Sequence, residues 1–185
     1  MYSRYVVGWL LAHREQDILA SDLIEGACAR EGIGKDQLTI HADRGPSMTS
    51  STVASLYDRL GIGKSHSRPY CSNDNPYSES QFKTMKYSAG FPERFESIEQ
   101  ARVFCQEFFD DYNNHMYHSG LAMLTPAMVH HGLDSAVIRQ RQKVLQQAYA
   151  AHPERFVNGE PKHQQVPNTV WINKPTEIAK RIVNS

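Results

Sequence analysis

Leu38-Thr-Ile-His-Ala-Asp-Arg-Gly-Pro46 decides the architecture of this 185-residue chain. Leu38, Ile40 and Ala42 alternate with Thr39, His41 and Asp43, the two-residue period of a strand with one inward face, and Arg44-Gly45-Pro46 ends it. Beyond the break, Val53, Leu56, Tyr57 and Leu60 follow the i, i+3, i+4, i+7 stripe of an amphipathic helix over 49–60, with Gly61 as its stop. Ile62 to Ser67 reads as a further short strand. Strands with crossing helices predict an α/β fold, a mixed sheet covered by helices.

Upstream of this stretch, residues 4–12 are rich in β-branched and aromatic types and read as a buried strand. A helix is expected over 21–30, with Ser21 as cap and Gly32 as its end. Downstream, Asn75-Pro76 offers a cap followed by proline at the first helical position, so a helix is expected from Pro76 to about Tyr87. A stronger helix spans 97–114, its apolar face built by Ile98, Ala101, Val103, Phe104, Phe108 and Phe109. A short helix begins at Thr125-Pro126, and a last amphipathic one covers 134–151. The remainder, 153–185, holds four of the nine prolines and reads as a loosely structured tail with a short strand at 169–172.

The chain is 40% hydrophobic and 22% charged, a composition that excludes disordered and collagen-like chains. Its zero net charge hides an asymmetry: residues 1–133 hold 12 Lys/Arg against 16 Asp/Glu, and 134–185 hold 8 against 4. The one early apolar run, Tyr5 to Ala12, is far shorter than the ~20 residues of a membrane helix, and no cleavage pattern follows it. Neither a membrane span nor a signal peptide is expected, so the sequence reads as cytoplasmic. Cys28, Cys71 and Cys105 form no close pair, which fits a reducing compartment and gives no metal pattern.

Asp43 ends a strand where ligands and reacting groups collect on α/β sheets. Glu79 lies in the first turn of a helix, where the macrodipole favours an ionised carboxylate. Thirty-five residues separate the two, 35 being the count between Asp43 and Glu79. Carboxylates brought together repel unless they share a divalent cation or a proton, and hard oxygen ligands suit Mg²⁺ or Mn²⁺. Lys83 and Lys86 share the Glu79 face of the helix, as a phosphodiester substrate would require. The plain alternative makes Asp43 a turn former and Glu79 a helix-start acid paired with Lys83.

Five stretches carry a resemblance. Tyr2-Ser-Arg-Tyr-Val-Val-Gly-Trp9, His41-Ala-Asp-Arg-Gly45, Asp74-Asn-Pro-Tyr-Ser-Glu-Ser-Gln-Phe-Lys-Thr-Met-Lys86, Tyr112-Asn-Asn-His-Met-Tyr-His-Ser-Gly120 and Leu124-Thr-Pro-Ala-Met-Val-His-His-Gly132 resemble the integrase core of bacterial insertion-sequence (DDE) transposases, in the retroviral-integrase superfamily. The resemblance covers roughly 1–132, taken as a core domain, and leaves 133–185 as a basic helix and tail. It implies a ribonuclease H-like fold, a five-stranded mixed sheet flanked by helices. It implies three carboxylates holding two Mg²⁺ ions, with Asp43 matching the second and Glu79 the third, for nicking and joining DNA phosphodiesters. Lys83 and Lys86 match positions that contact DNA backbone. The implied partners are element-end and target DNA, and further copies or full-length transposase subunits.

In the family the first Asp lies two positions before the Tyr of Tyr-Ser-Arg, and here Met1 alone precedes Tyr2. The resemblance therefore implies that the first catalytic Asp and most of the opening strand are absent, with the helix-turn-helix region ahead of them. Glu15 and Asp17 follow the strand and are expected at its far end, too distant to substitute. Loss of the opening strand would expose the ladder edge of residues 4–12, giving marginal stability or association. The expected result is a fragment inactive in strand transfer. A different class of function is a non-catalytic remnant that binds DNA or a transposase subunit as an inhibitor; a ribonuclease H-like nuclease with another substrate rests on fold analogy alone.

Other side chains leave alternatives open. His41 shares the strand face of Asp43, so it orients that carboxylate, approaches DNA, or is an ordinary strand residue. Arg44 reads as a phosphate contact or a turn ion pair, and both His41 and Arg44 are candidate DNA-binding residues. Tyr112, Asn113 and Asn114 either support the active site or terminate the helix. Arg139, Arg141, Lys143, Lys174, Lys180 and Arg181 either bind DNA nonspecifically or form a solvated face. His115, His118, His130 and His131 lack the spacing of a zinc site.

Overall fold

A computed structural model describes residues 1–69, 71 and 74–172. Its order is α1 (Asp17–Arg30), β1 (Thr39–Ala42), α2 (Ser51–Leu60), β2 (Gly63–His66), α3 (Pro76–Lys86), α4 (Ile98–Asn114), α5 (Pro126–His130) and α6 (Asp134–Ala151). The chain divides into two compact units. One joins Met1–Val6 to Cys105–Val170, and the other holds Val7–Phe104, so the division falls inside α4.

In the second unit, β1 and β2 pair in parallel, with His41 opposite Ser65 and Ala42 opposite His66. Parallel neighbours need a crossover, and α2 provides it. Ser50 caps α2 by accepting from the Val53 N–H at 3.3 Å, while Gly61 ends it at φ +64°, a left-handed conformation that a side chain would strain. Val53, Leu56 and Tyr57 are buried, as their spacing requires. With Cys28 and Ile62, Val53 and Tyr57 form a core against which Ile24, Leu38 and Ile40 pack. Phe91, Phe95 and Phe104 form a separate aromatic cluster, their centroids 5.4–5.5 Å apart.

In the first unit the core is Leu121, Ala122, Leu124, Val129, Ile138 and Val166. Thr125 caps α5 by accepting from Met128 N–H, and Pro126 takes the first helical position. Arg141 donates to the carbonyls of Ala122 (3.2 Å) and Met123 (2.9 Å). Of the basic residues weighed for DNA, Arg141 is thus committed within the fold. Arg139 and Lys143 are exposed, and Lys174, Lys180 and Arg181 lie outside the described residues.

Four local expectations need correction. Residues 4–12 form no strand and are not buried. A strand exists only by pairing, and instead three side chains serve their backbone. Asn113 accepts from Val6 N–H at 2.9 Å and donates to Val6 C=O at 3.1 Å. Arg30 donates to Val7 C=O at 3.0 Å, and Arg102 to Leu11 C=O at 3.2 Å. Second, α1 begins at Asp17, with Ser21 buried inside it. Asp17 satisfies the Ile18 N–H and accepts from the Thr52 hydroxyl, which holds its carboxyl below the usual range. Third, Asn75 occupies the N-cap of α3 without a side-chain cap bond. Fourth, 169–172 is not a strand. Of the five strands the resemblance implies, β1 and β2 alone form a ladder among the described residues.

His118 gives the first unit a pH response. Its Nε2 is buried without a partner, and burial, aided by Arg4, lowers its pKa from 6.5. Between that ordinary value and the lower folded one, the unfolded chain binds more protons, so stability falls as pH drops through the window. We expect His118 to titrate below ~6.5 by NMR and the urea midpoint to decline on acidification. His118→Gln should flatten that decline, and an unchanged slope would refute the assignment.

Candidate active site

Because β1 and β2 run parallel, the segments leaving their carboxyl ends emerge together. Asp43 follows β1 directly and is exposed. Its Oδ1 accepts from Gly45 N–H at 3.1 Å, and its carbonyl accepts from His66 Nδ1 at 3.1 Å, just where β2 ends. Arg44 Nε donates to the Ser67 carbonyl at 3.1 Å, so its guanidinium bonds backbone across the two strand ends.

His41 is committed on both ring nitrogens. Nε2 lies 2.8 Å from the Asp74 carbonyl, which can only accept, so that nitrogen carries the proton; Nδ1, 2.9 Å from Ser65 Oγ, then accepts. Asp74 is 3% exposed, and Arg68 grips it with Nε to Oδ2 and Nη2 to Oδ1, each 2.8 Å, while Arg68 N–H adds a bond at 2.9 Å. This bidentate pairing raises the Arg68 pKa above its usual range. The clasp ties β1 and the end of β2 to the residue just ahead of α3. Sequence reading missed it: Asp74 stood in a matched motif, yet neither periodicity nor spacing marks Arg68 as its partner.

α3 then presents Glu79 in its first turn and Lys83 and Lys86 in its last, all exposed. Pro76 at the first helical position needs no N–H partner. Glu15, expected at the far end of the opening segment, lies beside the turn of Asp43. Glu15 Oε1 accepts from Ser47 N–H at 3.3 Å. A Cβ on Gly45 would lie 3.1 Å from Asp43 Oδ1 and 3.6 Å from Glu15 Oε1, so both carboxylates face the same point of the turn. Asp17 accepts from the Thr52 hydroxyl, which joins the start of α1 to the first turn of α2.

Asp43 and Glu79 are hard-oxygen donors of the type that Mg²⁺ and Mn²⁺ prefer. Among the described residues, no group of three or more His, Cys, Asp or Glu converges to hold a metal ion. The donor chemistry fits a divalent cation, with fewer ligands than a closed cage.

Comparison with known proteins decides the family. Two models, each described as an integrase core domain, match residues 1–72 and 60–126. The chain belongs to the integrase core domain family of DDE transposases. The transposase for insertion sequence element IS904 of Lactococcus lactis is 33% identical over 130 residues, covering 68% of this chain and 50% of the relative. Transposase InsF for insertion sequence IS3A of Escherichia coli is 30% identical over 127 residues, covering 68% of this chain and 44% of the relative. This integrase core chain therefore spans about half the length of the curated relatives it matches. A chain in the cryoEM structure of the simian T-cell lymphotropic virus intasome, in complex with PP2A regulatory subunit B56 gamma, aligns with a TM-score of 0.50 at 19% identity. That alignment covers 65% of this chain and 42% of the other. It shows the fold, and the integrase core is ribonuclease H-like as the motifs imply. No helix among the described residues is long and apolar enough to cross a membrane.

Proposed function

We propose that this chain is the integrase-core portion of a DDE transposase, acting on DNA phosphodiesters in the bacterial cytoplasm, and that these 185 residues alone bind DNA without joining it. The supporting observation is the parallel β1–β2 pair, whose carboxyl ends carry Asp43 on one side and, through the Arg68–Asp74–His41 clasp, the helix of Glu79 on the other. Asp43 and Glu79 are the residues to hold Mg²⁺ or Mn²⁺. A divalent cation bound there supplies charge stabilisation at the reacting phosphate and lowers the pKa of an attacking hydroxyl. Lys83 and Lys86 hold the DNA backbone beside it, and Arg44 and His41 fix the loops rather than the substrate. Glu15 keeps the Asp43 turn in place.

In this reading Asp43 and Glu79 are the two metal ligands and Glu15, bonded to Ser47 N–H, serves the turn, which leaves the centre underligated and favours binding without chemistry in the isolated chain. The partners in this reading are element-end and target DNA, and further transposase subunits. A non-catalytic remnant acting as an inhibitor is the second reading, favoured by the absence of a three-ligand cluster among the described residues.

End-labelled duplex DNA with Mg²⁺ or Mn²⁺ tests these readings. We expect a complex whose affinity falls steeply with salt, and no joined product. Joining that disappears in Glu79→Gln would overturn the proposed inactivity, and absence of any complex would overturn the DNA reading. Asp43→Asn and Glu79→Ala separate enzyme from binder: a binder keeps its affinity or gains slightly with less negative charge. If DNA upstream of the Met1 codon encodes in frame an Asp two positions before Tyr2, the longer chain is the species to assay for joining.

A further inference from the structure

Beyond α6 the chain returns along that helix as an extended strap within the same unit. Gln142 holds it with both ends of its carboxamide: Nε2 donates to the Pro161 C=O at 2.9 Å, and Oε1 accepts from the His163 N–H at 2.7 Å. Three residues on, Val166 is buried in the core beside Leu121 and Leu124. Ahead of Pro161, Gln146 Nε2 donates to Glu160 Oε1 at 3.3 Å, and the Phe156 ring meets Tyr149 of α6 edge-on at 5.4 Å. The strap is thus fixed on both sides of one short turn, Phe156-Val157-Asn158-Gly159, closed by Gly159 N–H donating to Phe156 C=O at 3.0 Å. Asn158 and Gly159 are exposed, and Val157 beside them is 96% exposed.

An asparagine carboxamide is attacked by the backbone nitrogen of the next residue when that nitrogen is uncrowded and the local chain can open, which is one reason asparagine is thermolabile. Asn158-Gly159 is the one Asn-Gly pair in the sequence, and glycine has no Cβ to hinder the approach. The other described asparagines each lack a condition. Asn75 precedes Pro76, which has no N–H. Asn113 spends its carboxamide on Val6, and Asn114 lies in α4 with the following His115 N–H donating to Asp111 C=O at 2.8 Å. Asn168 precedes Thr169, whose branched Cβ crowds the nitrogen. At Asn158 the carboxamide makes no hydrogen bond among the described residues, and a single turn bond restrains the Gly159 N–H. We propose that Asn158 is a site of spontaneous deamidation whose product loosens the strap. The Gly159 nitrogen loses its proton to solvent and bonds to the Asn158 carboxamide carbon, and the amide group leaves as ammonia, closing a succinimide. Water then adds to either ring carbonyl, leaving aspartate or isoaspartate at 158. Isoaspartate routes the main chain through one extra methylene inside a turn whose two flanks are pinned to α6, so the turn bond and the Gln142 grip on His163 cannot both keep their geometry.

The full chain is kept in mildly alkaline buffer, sampled over days and digested with trypsin. Cleavage after Arg155 and Lys162 isolates Phe156–Lys162, and fragment masses place any change on its residue. The expected result is progressive replacement of the Asn158 amide nitrogen by oxygen, faster as pH rises because the attacking nitrogen must lose its proton. Isoaspartate in that peptide should accept a methyl group from an isoaspartyl methyltransferase. Asn113, Asn114 and Asn168 should stay intact over the same period. Asn158→Gln should stop the change while keeping a carboxamide in the turn, since its longer side chain would have to close a six-membered ring. Hydrogen exchange then compares aged with fresh chain: the His163 amide should lose protection in aged wild type and keep it in aged Asn158→Gln. An unaltered Phe156–Lys162 peptide, or conversion at Asn113, Asn114 or Asn168 ahead of Asn158, would overturn the assignment. Conversion at Asn158 with His163 protection unchanged would overturn the loosening of the strap.

Discussion

Arg68→Ala is expected to lower stability by roughly 2–3 kcal/mol, because it strips the two side-chain bonds from a carboxylate already withdrawn from water. The Asp74 side chain is 4% exposed while that of Arg68 is 66% exposed. The loss therefore arises from the buried acid losing its charged partner rather than from packing of the arginine. Arg68→Lys should recover little, since an ammonium keeps the charge and lacks the planar fork that meets both carboxylate oxygens. Hydrogen exchange gives a local readout: amides of α3 beyond Pro76 should lose protection, because Asp74 anchors the entry to that helix, while those of α6 should not. A variant with the wild-type urea midpoint and unchanged exchange in α3 would show that the clasp carries no weight.

The adjacent asparagines of Tyr112-Asn113-Asn114 are expected to differ sharply on replacement. Asn113 is 7% exposed, and its carboxamide engages both the N–H and the C=O of Val6, more than a hundred residues earlier in sequence, as a neighbouring strand would. Asn113→Ala leaves both groups without that partner and should cost about 2 kcal/mol. Asn113→Asp should restore only part, because a carboxylate accepts from Val6 N–H and repels Val6 C=O. Asn114 is exposed and donates only to Asp110 of its own helix, so Asn114→Ala should stay within about 0.5 kcal/mol. Thermal melts of the three variants check this, and equal effects at 113 and 114 would contradict the bridging role.

These two cases also mark where sequence reading stops. The helices α2, α4 and α6 were legible because burial imposes a 3.6-residue period, and Gly61, Thr125 and Pro126 punctuate the chain by backbone chemistry that any context preserves. Residues 4–12 misled because β propensity records fitness for a half-buried pleat, and here that backbone bonds side chains instead of a ladder. α1 was started late because Ile18, Leu19 and Ala20 give no sharp onset, and because the link from Asp17 to Thr52 spans thirty-five positions. The matched motifs marked Asp43 and Glu79 from spacing, but the groups that orient their segments, Glu15, His41, Arg68 and Asp74, meet through folding alone. Pairwise side-chain bonds between distant residues leave no periodic trace.

α4 has a consequence for how the chain assembles. Its first seven residues, Ile98–Phe104, belong to one compact unit and its last ten, Cys105–Asn114, to the other. Neither portion is long enough to persist as an isolated helix in water. Each unit therefore closes on a stretch of helix that persists only through packing within that unit.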